Sequence, residues 1–262
     1  MTRICIHGAA GRMGQAIIRL VAEAPDSTLV GAVDHGDSPH LGRDAGELAG
    51  AGNLGVALSP DLSAGMLGAD VIIDFSLAPA FDGMLKGALR AGVPVVSGTT
   101  RLSEASESLL EEASRSIAVL WAPNMSVGVQ VVAKLVRDAV AALPGYDVEV
   151  VEAHHNRKAD SPSGTATYLV EAAQSVRALS PVHGREGQVG AREPDEIGVH
   201  AIRGGGVIGD HAVHLIGPHD RIEINHRAIS RDLFAAGALR AARFLAAKPA
   251  GRYALADMLA KA

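Results

Sequence analysis

Arg3-Ile4-Cys5-Ile6-His7-Gly8-Ala9-Ala10-Gly11-Arg12-Met13-Gly14 carries a short apolar run straight into three glycines spaced three apart. Residues 15–23 follow with apolar side chains at helical spacing, and Pro25-Asp26-Ser27 breaks them. Thr28 to Val33 is a second apolar run, ending in Asp34. Strand, glycine turn, helix and strand within about thirty residues make one parallel crossover unit. Gly8 permits a tight turn, Gly11 lets the backbone approach a pyrophosphate, and Gly14 lets helix and strand pack closely. The anion then rests on the helix N-terminus, where free N–H groups and the helix dipole favour it.

The spacing is GxxGxxG, not the commoner GxGxxG, and glycines alone are weak evidence. Asp34 strengthens the reading, because it stands twenty residues after Gly14 where an acid can accept adenosine ribose hydroxyls. A carboxylate there repels a 2′-phosphate, so NADH is favoured over NADPH. His35 assists a phosphate only weakly, when protonated. The plain alternative is a turn-rich junction with a solvated acid.

The alternation continues along the chain. Asp70 to Phe75 reads as a third strand, 79–91 as a helix, and Val93 to Val96 as a strand leading into Ser97-Gly98-Thr99-Thr100. A helix over 103–115 and a strand over 117–121 complete it, and Ala122-Pro123-Asn124-Met125 follows. Strands alternating with helices indicate an α/β, Rossmann-type, doubly wound parallel sheet. Gly98 to Thr100 and Ala122 to Met125 fall at strand ends, on the rim where such sheets bind ligands, and their small residues and hydroxyls suit a nicotinamide. Residues 36–58 show no usable periodicity.

Ser126 is a candidate N-cap for a long helix through about Leu143, which Pro144-Gly145 stops. The rhythm then changes. Asp147 to Val151 reads as a strand and 152–165 as a polar loop, with a helix beyond it to about Leu179. Residues 181–195 are polar and glycine-rich. Runs at 197–203, 211–216 and 221–229 read as strands joined by short turns, which suggests antiparallel pairing and a mixed or antiparallel sheet in a second, α+β module. The segment 231–261 reads as helical.

The polar loop holds Glu152-Ala153-His154-His155-Asn156-Arg157-Lys158-Ala159-Asp160-Ser161-Pro162-Ser163-Gly164-Thr165. Reduction of an unsaturated imine or carbonyl needs a hydride at one atom and a proton at another. His154 and Lys158 are the natural proton carriers. Ser163-Gly164-Thr165 offers N–H groups and hydroxyls to a carboxylate at a helix start. Arg157, Lys158 and His155 add positive charge, so a small dicarboxylate suits the site. The plain alternative is a polar strand end before an ordinary helix start. His154, His155, His200, His211 and His214 show no metal-ligand spacing, so no metal is expected.

Bulk properties narrow the classes. Net charge is -5 without a long basic run, which argues against nucleic-acid binding. With 48% apolar but only 3% aromatic residues, the core must be aliphatic. The lone cysteine, Cys5, excludes an internal disulfide and suits a reducing compartment. Met1-Thr2-Arg3 leaves no room for a signal peptide before the first strand, and no run is long enough to span a bilayer. A cytoplasmic protein without membrane partners is the expectation.

These strings together resemble the 4-hydroxy-tetrahydrodipicolinate reductase family, also called dihydrodipicolinate reductases, over essentially the whole chain. The resemblance rests on Gly8 to Gly14, Asp74-Phe75-Ser76, Gly98-Thr99-Thr100, Asn124 to Val129, and above all Glu152 to His155 with Lys158, Asp160 and Pro162 to Thr165. It implies an NAD(P)H-dependent oxidoreductase of lysine and diaminopimelate biosynthesis. A hydride would reach C4 of a cyclic unsaturated imine as the 4-hydroxyl leaves as water. His154 and Lys158 match the family's proton donors. His155, Gly164 and Thr165 match substrate contacts. Gly8 to Met13, Asp34, Gly98 to Thr100 and Ala122 to Met125 match cofactor contacts.

The resemblance also implies a homotetramer assembled through the second domain. It divides the chain into 1–125 with 231–262 for the dinucleotide, and 126–230 for substrate and oligomerisation. Motion between the domains would close the site. This chain departs from the pattern twice: His35 stands where some members carry arginine, and Arg101 where glycine is common. The rival readings are another dehydrogenase of aspartate-derived acids, which would lack the 152–165 string, and a non-catalytic dinucleotide sensor.

Overall fold

The computed structural model describes residues 1–259, so the end of the segment read as helical to 261 lies outside the described residues. The chain divides into two compact units. One is Met1–Ser126 with the segment from Asp232 onward, and the other is Val127–Arg231.

The first unit opens β1 (Thr2–His7), α1 (Arg12–Glu23), β2 (Ser27–Val33), α2 (Ala45–Ala49), β3 (Leu58–Ser59) and α3 (Leu62–Gly65). It continues β4 (Val71–Asp74), α4 (Ala78–Ala91), β5 (Val95–Ser97), α5 (Glu104–Ser114) and β6 (Ala118–Trp121). The second unit holds α6 (Val127–Ala142), β7 (Asp147–His154), α7 (Gly164–Gln174), β8 (Ser180–His183), β9 (Glu196–Arg203), β10 (Asp210–Ile216) and β11 (Arg221–Arg227). The chain then returns to the first unit with α8 (Asp232–Leu245), β12 (Gly251–Tyr253) and a 3-10 turn at Leu255–Met258.

The first sheet is parallel, in the order β12-β6-β5-β4-β1-β2-β3. Its strands are unbroken apolar runs because both faces are covered: Ile4, Cys5 and Ile6 in β1, and Val71, Ile72 and Ile73 in β4, are all 0% exposed. The direction of winding reverses between β1 and β4. That switch point opens a crevice at the strands' carboxyl ends. His7, Gly8 and Asp74 stand there.

The second sheet is mixed, in the order β11-β10-β7-β9-β8. Strand β7 alternates strictly. Val148, Val150, Glu152 and His154 are buried on one face, while the residues between them are half-buried. On the buried face the apolar side chains join those of α6 and α7 in one core, with Val132, Val136 and Leu169 among them. In α6 the buried positions Val129, Val132, Ala133, Val136 and Val140 trace one helical stripe.

Two expectations from the sequence need correction, the pairing of the strand-like runs and the helical carboxyl-terminal segment. The runs at 197–203 and 211–216 are not paired with each other. Both flank β7, with β9 parallel and β10 antiparallel to it, and only β10 and β11 form an antiparallel hairpin. Proximity in sequence failed here because β7 takes the central place. The polar segment 181–195 begins with an edge strand, β8, paired in parallel to β9. The carboxyl-terminal segment is not continuously helical, since β12 adds an edge strand beside β6.

The stretch 36–58 folds around one side chain rather than an apolar stripe. Asp44 accepts from the N–H groups of Gly46, Glu47, Leu54 and Val56 at 2.9–3.1 Å. That explains its silent periodicity.

Candidate active site

In the first unit, β1 delivers the chain into the glycine turn at the switch point. Gly8 has φ +78°, a left-handed conformation, and a side chain there would meet the Phe75 carbonyl at 2.8 Å. A Cβ on Gly14 would lie 2.3 Å from the Gly8 carbonyl, so turn and helix close only around hydrogen. Helix α1 then starts at Arg12 with Gly11 at its cap position and no side-chain cap. This is a cradle a Cβ would fill, at an uncapped helix start. It fits a pyrophosphate.

Asp34 stands just past β2. Its carboxylate accepts from the Ala10 N–H at 2.7 Å and the His35 N–H at 2.8 Å. The acid read for the ribose therefore also ties down the glycine turn. The His35 ring is exposed, with Nε2 3.7 Å from Asp34.

Asp74 is fully buried at the end of β4 and joins three rim turns. One carboxylate oxygen takes His7 Nδ1 at 2.8 Å and the Ser76 N–H at 3.2 Å. The other takes the Ser97 and Thr99 hydroxyls, each at 2.8 Å. Burial alone would push the Asp74 carboxyl up, but His7, Ser76 and Ser97 outweigh it and hold it below the usual aspartate value.

The Thr99 hydroxyl, expected to face a ligand, is thus committed inward, as is the Thr99 carbonyl, which accepts from the Trp121 indole at 2.8 Å. Gly98 passes against the Phe75 ring, and Thr100 is exposed. Beyond β6, Ala122 donates its N–H to the Ser97 carbonyl, and Asn124 Oδ1 accepts from the Ser126 N–H at 2.9 Å. Pro123 lies exposed and Met125 buried in that turn. Helix α8 backs this rim, packing on α1 and on β4, β5 and β6.

In the second unit, β7 runs three residues further than its apolar run suggests. Glu152 and His154 are therefore strand residues of the buried face, not loop residues. Their i, i+2 spacing puts them side by side, with His154 Nδ1 2.6 Å from Glu152 Oε2. Register supplies the rest. Arg203 pairs with His154 across β9, and His211 with Glu152 across β10. Arg203 clasps both Glu152 oxygens at 2.7 Å, and the Ser163 N–H donates to Oε1 at 3.0 Å.

Glu152 is fully buried. Burial would raise its carboxyl, but the bonds from Arg203, His154 and Ser163 hold it below the ordinary glutamate value. The His211 ring meets His154 edge-on at 5.1 Å between centroids. Burial, with His154 and His226 nearby, pushes His211 down to about 4.

Helix α7 begins at Gly164, capped by Ser163, whose hydroxyl accepts from the Ala166 N–H and also bonds His211 Nε2 at 3.0 Å. Gly164 and Thr165 form its first turn. Lys158 is bound to both Asp160 oxygens at 2.8 and 2.9 Å, an exposed pairing of small worth. His155 does not add the positive charge expected of it. Burial, then the cations of Arg231, Arg157, His154 and Lys158, pushes it below its ordinary value and leaves it mostly neutral at pH 7.

The structure thus gathers His154, His155, Lys158, Gly164 and Thr165 around one strand end and helix start. It gathers Gly8 to Met13, Asp34, Gly98 to Thr100 and Ala122 to Met125 on one sheet rim. Among the described residues no group of three or more His, Cys, Asp or Glu is placed to hold a metal ion. Sequence reasoning gave no role to Arg203, His211, His7, Asp74 or Glu152. Glu152 had a legible signal, since the E-x-H step continues the alternation of β7.

The comparisons cover both units. Residues 2–125 match "Dihydrodipicolinate reductase, N-terminus", and residues 128–259 match "Dihydrodipicolinate reductase, C-terminus". The chain belongs to the dihydrodipicolinate reductase family. A 4-hydroxy-tetrahydrodipicolinate reductase of Anaeromyxobacter dehalogenans (strain 2CP-1 / ATCC BAA-258) is 46% identical, covering 99% of this chain and 98% of its own. One from Burkholderia thailandensis is 47% identical, covering 98% of this chain and 97% of its own. A solved dipicolinate-bound dihydrodipicolinate reductase from Paenisporosarcina sp. TG-14 superposes with a TM-score of 0.78 over 97% of each chain. At 24% identity that likeness speaks for the fold alone. Membership in the dihydrodipicolinate reductases therefore extends through both units of the chain and rests on no single motif.

Proposed function

We propose that this chain is a 4-hydroxy-tetrahydrodipicolinate reductase, an NAD(P)H-dependent oxidoreductase of lysine and diaminopimelate biosynthesis. The observation that carries the reading is His154, seated at the end of β7 beside the capped start of α7, in a chain matching both halves of the family. When bound on the glycine turn, a reduced nicotinamide supplies the hydride for C4 of the cyclic imine. Water leaves from the same carbon, and the net reaction takes up one proton.

The chain's own residues do the rest. Gly8, Ala9, Ala10, Gly11, Arg12 and Met13 cradle the pyrophosphate, Asp34 the ribose, and Gly98 to Thr100 with Ala122 to Met125 the nicotinamide end. Gly164 and Thr165 take a substrate carboxylate on the α7 N-terminus, with Lys158 and Arg157 as cations and neutral His155 as a hydrogen-bonding group. His154 and Lys158 hold and deliver protons, which requires Lys158 to leave Asp160. Asp34 without a following arginine favours NADH over NADPH.

We assign the protein to the cytoplasm as a homotetramer. Exposed Ile202, Ile216 and Ile222 on the second sheet support self-association, and buried Cys5, its thiol pushed up to about 12 by burial, suits a reducing compartment. Among the described residues no helix is long and apolar enough to cross a membrane.

Lys158→Ala tests the chemistry. It is expected to lower kcat by ~100-fold or more while NADH binding changes little, as for loss of an acid–base group. Near-normal turnover would remove Lys158 from the reaction.

A further inference from the structure

We infer that Glu152 is a positioning residue for His154: its carboxylate keeps a proton on Nδ1 and turns Nε2 toward the substrate. The inference rests on the function proposed above and adds a residue to it.

The contact is short and buried. His154 Nδ1 lies 2.6 Å from Oε2 of a carboxylate that is 0% exposed. Arg203 donates to both oxygens of that carboxylate and the Ser163 N–H to one, so it is ionised and fully engaged. An ionised carboxylate only accepts hydrogen bonds. Nδ1 therefore carries a proton whether the imidazole is neutral or charged. Nε2 is left as the atom that gains and loses a proton.

The surroundings agree. Gly209 leaves room beside Nε2, since a Cβ at that position would sit 3.0 Å from it. His211, the nearest ring, is engaged through its own Nε2 by the Ser163 hydroxyl and does not compete for Nε2 of His154. Arg203 matches the charge of Glu152. The carboxylate thus orients the ring without acting as a second base.

Glu152→Gln keeps the shape and removes the charge. Its amide can offer N–H to Nδ1, which moves the proton of the neutral ring to Nε2. Imidazole nitrogen-15 NMR, assigned with His154→Gln, should show neutral His154 protonated on Nδ1 in the native protein and on Nε2 in Glu152→Gln. Turnover should fall by ~100-fold, with NADH affinity unchanged within about twofold, as for loss of a group that orients a reacting imidazole. Should the single variant fail to fold, Glu152→Gln with Arg203→Met removes both charges of the pair together and should show the same loss.

Native His154 protonated on Nε2, or a folded Glu152 variant within about threefold of native turnover, would overturn the inference. Native enzyme that turns over beside an equally active variant sinks this inference alone. Native enzyme without turnover sinks the proposed function, and the NMR tautomer then decides the positioning by itself.

Discussion

Arg101 has φ +60°, alone among the described non-glycine residues in the left-handed region. A side chain in that conformation costs about 1 kcal/mol or more. Arg101→Gly is therefore expected to stabilise the first unit by about 1 kcal/mol, read as a raised denaturation midpoint. Unchanged stability would mean that the guanidinium offsets the strain.

Asp34 makes a second prediction. The proposed function puts its carboxylate at the adenosine end with no arginine following it, so Asp34→Asn is expected to narrow a preference for NADH by about tenfold, measured as the ratio of the two kcat/KM values. An unchanged ratio would place discrimination elsewhere. Asp34 and Arg101 were legible in the sequence because each reading concerns a single position. Arg203 and His211 were not, because only strand pairing brings them within reach of Glu152 and His154.

At the scale of elements, the β–α alternation of the first unit could be read directly, since doubly covered strands are unbroken apolar runs. The short edge strands β8 and β12 could not, because three or four half-exposed residues carry no period. The order of the second sheet was equally hidden, because no local signal says that β7 lies between β9 and β10. Helix α7 shows what its cap contributes. Ser163 satisfies the Ala166 N–H and anchors His211 at once. Ser163→Ala should cost about 1–2 kcal/mol of stability in urea titration and raise KM for the dicarboxylate more than it lowers kcat. A change in kcat alone would argue against a carboxylate at this helix start.

For the molecule as a whole, acid sensitivity follows from His211. Its folded pKa is pushed down to about 4, against an ordinary value of 6.5. Below 6.5 the unfolded chain takes up a proton that the folded chain refuses until about 4. Stability therefore falls as pH drops through that window, by about 2 kcal/mol between pH 6.5 and 5. His211→Gln should flatten that slope by one proton in denaturant titrations at the two pH values. An unchanged slope would show that His211 is not the group responsible. Glu152 and Asp74, held below ordinary carboxylate values, lose their contributions only at lower pH.

The central claim is the reaction itself. It is tested most directly by following the oxidation of NADH and of NADPH with substrate formed in situ from pyruvate and aspartate semialdehyde. Turnover with both, and a higher kcat/KM for NADH, is the expected result. Folded protein that binds a dinucleotide and oxidises neither would contradict the account.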